Sequence, residues 1–271
     1  MQTITFLETE RNNFINSLIE NKQNFILRQT NYSDEIIFNE IRYIINNAGF
    51  NDFEVIKYRN KIISDIKEFE TKNRAPRTVD KKTINYFDLG NYLIKGGANE
   101  LNDLFCIDIK SAYPTTFFNK KYISEKTFNE LGEAKKEIRL KACGSVATEK
   151  IIYEFKDGVC FNAELKESER GNYFFDVVKT VSQSMGQIKQ LLNKDFLFFW
   201  VDGIFFNGEG NIKAVTQLLE MHGYKYKIEF VNKMKITKEK KHLFIDLIKE
   251  GKNKVFNLPL INKKRINFVN Q

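Results

Sequence analysis

The chain has 271 residues, 42% of them hydrophobic and 14% aromatic, enough for one sizeable core or two modest domains. No run approaches the ~18 uninterrupted apolar residues that a membrane span needs. The opening MQTITFLETERNN carries acidic residues where a secretion signal carries basic ones, so a soluble protein of a bacterial or viral-host cytoplasm, with no membrane partner, is expected. The formal net charge is +8 and it is concentrated: from Lys225 onward there are 13 Lys or Arg and 4 Asp or Glu, leaving 30 and 31 for the first 224 residues. A basic segment of this kind suits a polyanion backbone, and a solvated lysine-rich surface has the same composition. Cys106, Cys143 and Cys160 are odd in number and widely spaced, which fits reduced thiols rather than a disulfide frame or a zinc cluster. With His222 and His242 the sole histidines, any metal is expected on carboxylates, which favours magnesium or manganese.

In chain order, residues 1–75 read as a helical arm. LETERNNFINSLIENKQNFIL and SDEIIFNEIRYIINNAGF space apolar residues by three and four, and a third helix runs from about 53 to 71 before the Arg74-Ala75-Pro76-Arg77 break. The extended runs TINYFDLGNYLI and DLFCIDI follow, separated by the Gly96-Gly97 turn, so that a strand delivers Asp108 near its end. Residues 125–147 turn helical, interrupted near Gly132, and EAKKEIRLKACGSVA is basic on one face. KIIYEFKDGVCFNAEL reads as a hairpin turning at Asp157 and Gly158, and NYFFDVVKTVSQSMGQIKQLL as a long amphipathic helix. DFLFFWVDGIFF reads as a buried strand with Asp202 in its middle, a costly position for an unpaired carboxylate. A helix, NIKAVTQLLEMHGY, a strand, YKIEFVNKMKI, and a basic tail follow.

In FCIDIKSAYPTTF, Asp108, Ser111, Tyr113 and Pro114 form the pattern Asp-x-x-Ser-x-Tyr-Pro, and this stretch resembles motif A of the family B DNA polymerases. The resemblance implies that Asp108 binds metal, that Ser111, Ala112 and Tyr113 receive the triphosphate, and that Tyr113 selects deoxynucleotides. Ile94, Lys95, Gly96 and Gly97 resemble the family's Tyr-x-Gly-Gly loop, with Ile94 at the tyrosine, and imply a template contact at Gly96 and Gly97. FFWVDGIFF resembles motif C, with Asp202 at its second aspartate, Gly203 at its serine and Trp200 at its first aspartate. An ordinary hydrogen-bonded aspartate, or a hairpin-turn residue before Gly203, is the competing reading of Asp202. IRLKACGSVATEK is a weaker match to motif B: Leu140 takes the lysine, Gly144 and Ser145 take Asn-Ser, and Ala147 takes the tyrosine. Lys136, Arg139 and Lys141 are the triphosphate-binding candidates on that helix. Lys233, Lys235, Lys240 and Lys241 resemble the primer-contacting junction of palm and thumb.

The expected fold is therefore α+β. A helical N-terminal region (1–75) precedes a palm of antiparallel strands backed by helices (76–230) with short finger helices at about 120–148, and a basic thumb-like tail follows (231–271). The resemblance implies addition of dNTPs to a DNA primer on a template with two Mg2+ or Mn2+ ions, without proofreading. The arm would hold DNA, recruit a replication protein or mediate oligomerisation. Terminal transfer, primer synthesis or nucleotide attachment to a protein hydroxyl is a second expectation, from the missing motif B residues, and an inactive nucleic-acid-binding or assembly module is a third, from Trp200. The composition and the compressed layout fit a virus or mobile element.

Overall fold

A computed structural model describes residues 3–6, 8–30, 33–46, 53–94, 100–239, 242–249 and 252–259. In chain order these form β1 (Thr3–Phe6), α1 (Glu8–Glu20), β2 (Phe25–Gln29), β3 (Ser33–Phe38), β4 (Ile41–Asn46) and α2 (Phe53–Lys72). Next come β5 (Phe87–Leu89), α3 (Asn91–Ile94), β6 (Glu100–Lys110), α4 (Ala112–Asn119), α5 (Glu125–Glu133), α6 (Lys136–Gly144), β7 (Lys150–Lys156) and β8 (Val159–Lys166). α7 (Gly171–Leu192), β9 (Phe196–Trp200), β10 (Gly203–Phe206), α8 (Asn211–Met221), β11 (Lys225–Glu239), β12 (His242–Lys249) and β13 (Lys252–Pro259) follow. The class is α+β. The chain divides into two units: Met1–Ala75 with Asn129–Phe174, and Pro76–Phe128 with Phe175–Gln271. The expected break after residue 75 coincides with a unit boundary, whereas residues 129–174 join the N-terminal part rather than a contiguous palm.

Unit 1 is built on a six-stranded sheet in the order β1-β4-β3-β2-β7-β8, with β1 parallel to β4 and the other neighbours antiparallel. The helical arm expected over 1–75 is corrected here, because residues 25–29, 33–38 and 41–46 are strands. The isoleucine-rich run fits either periodicity, but its β-branched pairs Ile36-Ile37 and Ile44-Ile45 favour extended backbone. Asn39 and Glu40, both at positive φ (49° and 63°), close a tight hairpin that pairs Phe38 with Ile41. Leu18 of α1 packs with Phe25, Leu27, Ile36 and Ile45. Val55, Tyr58, Ile62 and Ile66 line one side of α2, which packs against α6.

Unit 2 is an antiparallel seven-stranded sheet, β13-β12-β11-β6-β10-β9-β5, with β6 central. One face packs Ile107, Ile109, Phe199, Ile204 and Phe206 against Val181, Met185 and Ile188 of α7 and Val215 and Leu219 of α8. The opposite face collects Leu104, Cys106, Phe198, Phe205, Ile245, Leu247 and Phe256. The expected separate basic tail is corrected for the described part of 231–271, which adds strands to this sheet. Its lysines obscure the alternation that buries Ile245, Leu247 and Phe256.

Candidate active site

β6 carries Asp108 two residues before its end and pairs on one side with β10, on the other with β11. By alternation, Asp108 shares a face with Leu104 and Cys106, opposite the side backed by α7 and α8. One row crosses five strands in register: Lys227 on β11, Asp108 on β6, Gly203 on β10, Trp200 on β9 and Phe87 on β5. Gly203 matters by what it lacks. A Cβ built there would lie 3.3 Å from Asp108 Oδ1, so the glycine leaves room beside the carboxylate.

Asp202 does not lie within a strand, and the single strand expected over 195–206 is corrected to a hairpin. Val201 and Asp202 form its turn between Trp200 and Gly203. Val201 is held at φ 55°, a left-handed conformation that costs a β-branched residue on the order of 1–2 kcal/mol. Its N–H donates to the Tyr86 carbonyl at 2.6 Å, and the Ile109 N–H donates to the Asp202 carbonyl at 3.0 Å. The residue after Asp108 is thus bonded to the main chain of Asp202, which brings both aspartates to one end of adjacent strands. Both side chains are half-buried. The Asp-Gly dipeptide between hydrophobic runs was the sequence signal for this turn.

Among the described residues no group of three or more His, Cys, Asp and Glu is arranged to hold a metal ion. Carboxylates are the ligand type that Mg2+ and Mn2+ take, with substrate phosphates and water completing the shell. Lys227, missed in the sequence, faces Asp108 from β11; the every-second-residue charges Lys225, Lys227 and Glu229 were its signal. Its Nζ lies 2.8 Å from Glu229, and that hydrogen bond first, then the charges of Glu229, Asp108 and Cys106, hold its pKa above the usual lysine value.

At the end of β6 the chain reverses through Ser111, at φ 54° and ψ 44°, directly into α4. Pro114 falls in the first helical turn, where its missing N–H leaves no bond unmade. The amides of Ala112 and Tyr113 lie in that same turn. The Tyr113 ring packs, half-buried, against the helix-backed cluster. The Thr116 and Tyr224 hydroxyls meet at 2.8 Å in the core, fixing α4 against the start of β11.

The remaining expected residues fall in both units. Lys136, Arg139 and Lys141 lie on α6, in unit 1, whereas Asp108 and Asp202 belong to unit 2. Arg139 is engaged with the last turn of α5, donating to the carbonyls of Gly132 (3.2 Å) and Ala134 (2.7 Å). Lys233 pairs with Glu100 at 2.6 Å, and Lys235 is exposed on the same strand. Gly96, Gly97, Lys240 and Lys241 lie outside the described residues. No helix among the described residues is long and apolar enough to cross a membrane. No protein-family model matches this chain, and no curated protein matches it.

Proposed function

We propose that the chain is a nucleotidyltransferase that adds deoxynucleotides to a DNA primer on a template, using two Mg2+ or Mn2+ ions held by Asp108 and Asp202 and no proofreading. The register that sets Asp108 opposite Gly203, beside the Asp202 turn, carries the proposal. It gives a helix-backed antiparallel sheet one carboxylate near the end of a strand and a second in the turn that opens the neighbouring strand. That arrangement fits the palm of the family B DNA polymerases, which motifs A and C resemble in the same order. Ions bound there supply a lowered 3′-hydroxyl pKa and charge neutralisation at the triphosphate.

The chain's own residues prepare the site. The Ser111 reversal turns the first amides of α4 toward an anionic substrate, and the exposed part of the Tyr113 ring supports the deoxyribose. Gly203 keeps space beside Asp108, and Lys227 sets the local charge. Arg139 serves the end of α5. DNA and dNTP are the partners, and unit 1 is the part available to hold DNA or a replication protein.

The test is extension of a labelled DNA primer, with and without a template overhang, in Mg2+ or Mn2+. Templated extension that falls at least about 100-fold in both Asp108→Ala and Asp202→Ala is expected. Untemplated addition would move the assignment to terminal transfer or priming. DNA binding without incorporation under any condition would leave a binding module, the reading that Trp200 at the first motif C aspartate favours.

A further inference from the structure

Unit 1 contains a cleft of about 300 Å³ lined by Arg59, Lys150, Lys166, Arg170 and Thr148, with Glu167 and Glu169 also in its lining. Three observations point the same way. First, Lys150 and Lys166 are direct cross-strand partners on β7 and β8. Like charges set opposite each other destabilise a sheet, and an anion between them removes that cost. Second, Thr148 Oγ1 is buried and has no hydrogen-bond partner, and buried hydroxyls in folded proteins are ordinarily satisfied. Third, the cleft includes Ser168, Glu169 and Arg170, the residues leading into the 22-residue α7, whose first turn carries no acidic side chain to offset the positive end of its dipole.

The arginines are held in place by neighbours. Arg59 Nε donates to the Ser145 carbonyl at 3.3 Å, and Arg170 donates through Nε (3.2 Å) and a terminal nitrogen (2.8 Å) to Glu70 Oε2. Arg170 is thereby matched by Glu70, and Glu167 and Glu169 offset two of the other three cations in the lining, so the cleft keeps a net positive charge of one, with Lys150 and Lys166 facing each other across the strand pair. We infer that this cleft binds a phosphoryl group, with Lys150 and Lys166 straddling it and the Thr148 hydroxyl donating to one of its oxygens. The chemistry is shared by a nucleic-acid phosphodiester and a free phosphate or nucleotide. The inference uses neither Asp108 nor Asp202 and stands apart from the proposed activity.

The test is binding by the full chain, read by calorimetry and by melting temperature, with three probes: inorganic phosphate, a dNTP without divalent metal, and a single-stranded oligonucleotide. Lys150→Gln with Lys166→Gln should weaken binding of at least one probe by about tenfold and, for the oligonucleotide, lower the salt slope by about one per lysine. Lys150→Arg with Lys166→Arg should restore it. Preference for the oligonucleotide identifies a backbone phosphate, and equal response to phosphate and dNTP identifies a free one. In phosphate-free buffer the two Gln changes, and Thr148→Val, should raise the melting temperature, because they remove a repulsion and an unsatisfied hydroxyl. A merely structural role predicts the opposite sign. Unchanged affinity for all three probes in the double Gln variant would overturn the inference.

Discussion

At the scale of single residues, Gly203 and the three cysteines give the clearest expectations. Gly203→Ala places a methyl 3.3 Å from Asp108 Oδ1, so the carboxylate must give by a few tenths of an ångström. Activity should fall about tenfold or more and the divalent-metal requirement should rise, with the urea midpoint nearly unchanged; an unaltered metal titration would separate Asp108 from metal binding. Cys160 is exposed while Cys106 and Cys143 are buried, so one thiol should react rapidly with a thiol reagent at neutral pH and the other two on unfolding. Burial pushes the Cys143 thiol up to about 12, against the smaller opposing pull of Arg139. With the folded value raised above the unfolded 9.0, its contribution to stability is complete below about pH 9 and is lost as pH rises toward about 12. Urea unfolding at about pH 8 and about pH 10.5 should show that loss, and Cys143→Ala should flatten it.

At the scale of elements, two glycines separate close approach from open space. A Cβ on Gly90 would meet the Phe196 carbonyl oxygen at 2.2 Å, because the Gly90 N–H already donates to Leu197 at 2.6 Å. Gly90→Ala should therefore cost about 3 kcal/mol in denaturant unfolding, by forcing the backbone that follows β5 away from β9. Gly186, inside α7, has nothing within 4 Å of a built Cβ, and Gly186→Ala should stabilise by about 0.5–1 kcal/mol. The elements readable from sequence were those with one dominant signal. The apolar stripes of α7 and α8, the Asp157-Gly158 turn between β7 and β8, and the strand delivering Asp108 stand where the pattern puts them. β3 and β4 were misread because Ile36, Ile37, Ile41, Ile44 and Ile45 satisfy a helical period as well as a strand one. The Asp202 turn was legible only as the competing reading, since Val201, a β-branched residue at positive φ, is the last choice that local propensity would make for a turn. The spacing of Asp108 and Asp202 was legible as two motifs, but their meeting depends on β6 pairing with β10 across about ninety residues of chain, a long-range register that no local pattern encodes.

At the scale of the whole molecule, the units draw their parts from separate stretches. Unit 1 takes β1 to β4 and α1 and α2 from the first 75 residues, and β7, β8 and α6 from residues 129–174. A fragment of residues 1–75 keeps β3 but lacks β7, the other neighbour of β2, and the helix that packs on α2, so it should show no cooperative thermal transition by circular dichroism; a sharp one would mean that the first segment folds unaided. Lys150 and Lys166 belong to that later stretch, so the inferred phosphoryl cleft also requires both segments.

The interleaving sets a timetable for synthesis. When a ribosome has released the first 75 residues, β2 still has a bare edge of unpaired amides and carbonyls, and its cover emerges only after the strand bearing Asp108 has been made. The second unit cannot close either until β10 and β11 arrive to flank β6. Between the emergence of β5 and that of β8 the nascent chain therefore carries two half-built sheets at once, and their open edges are exposed to chaperone capture or to aggregation over that interval.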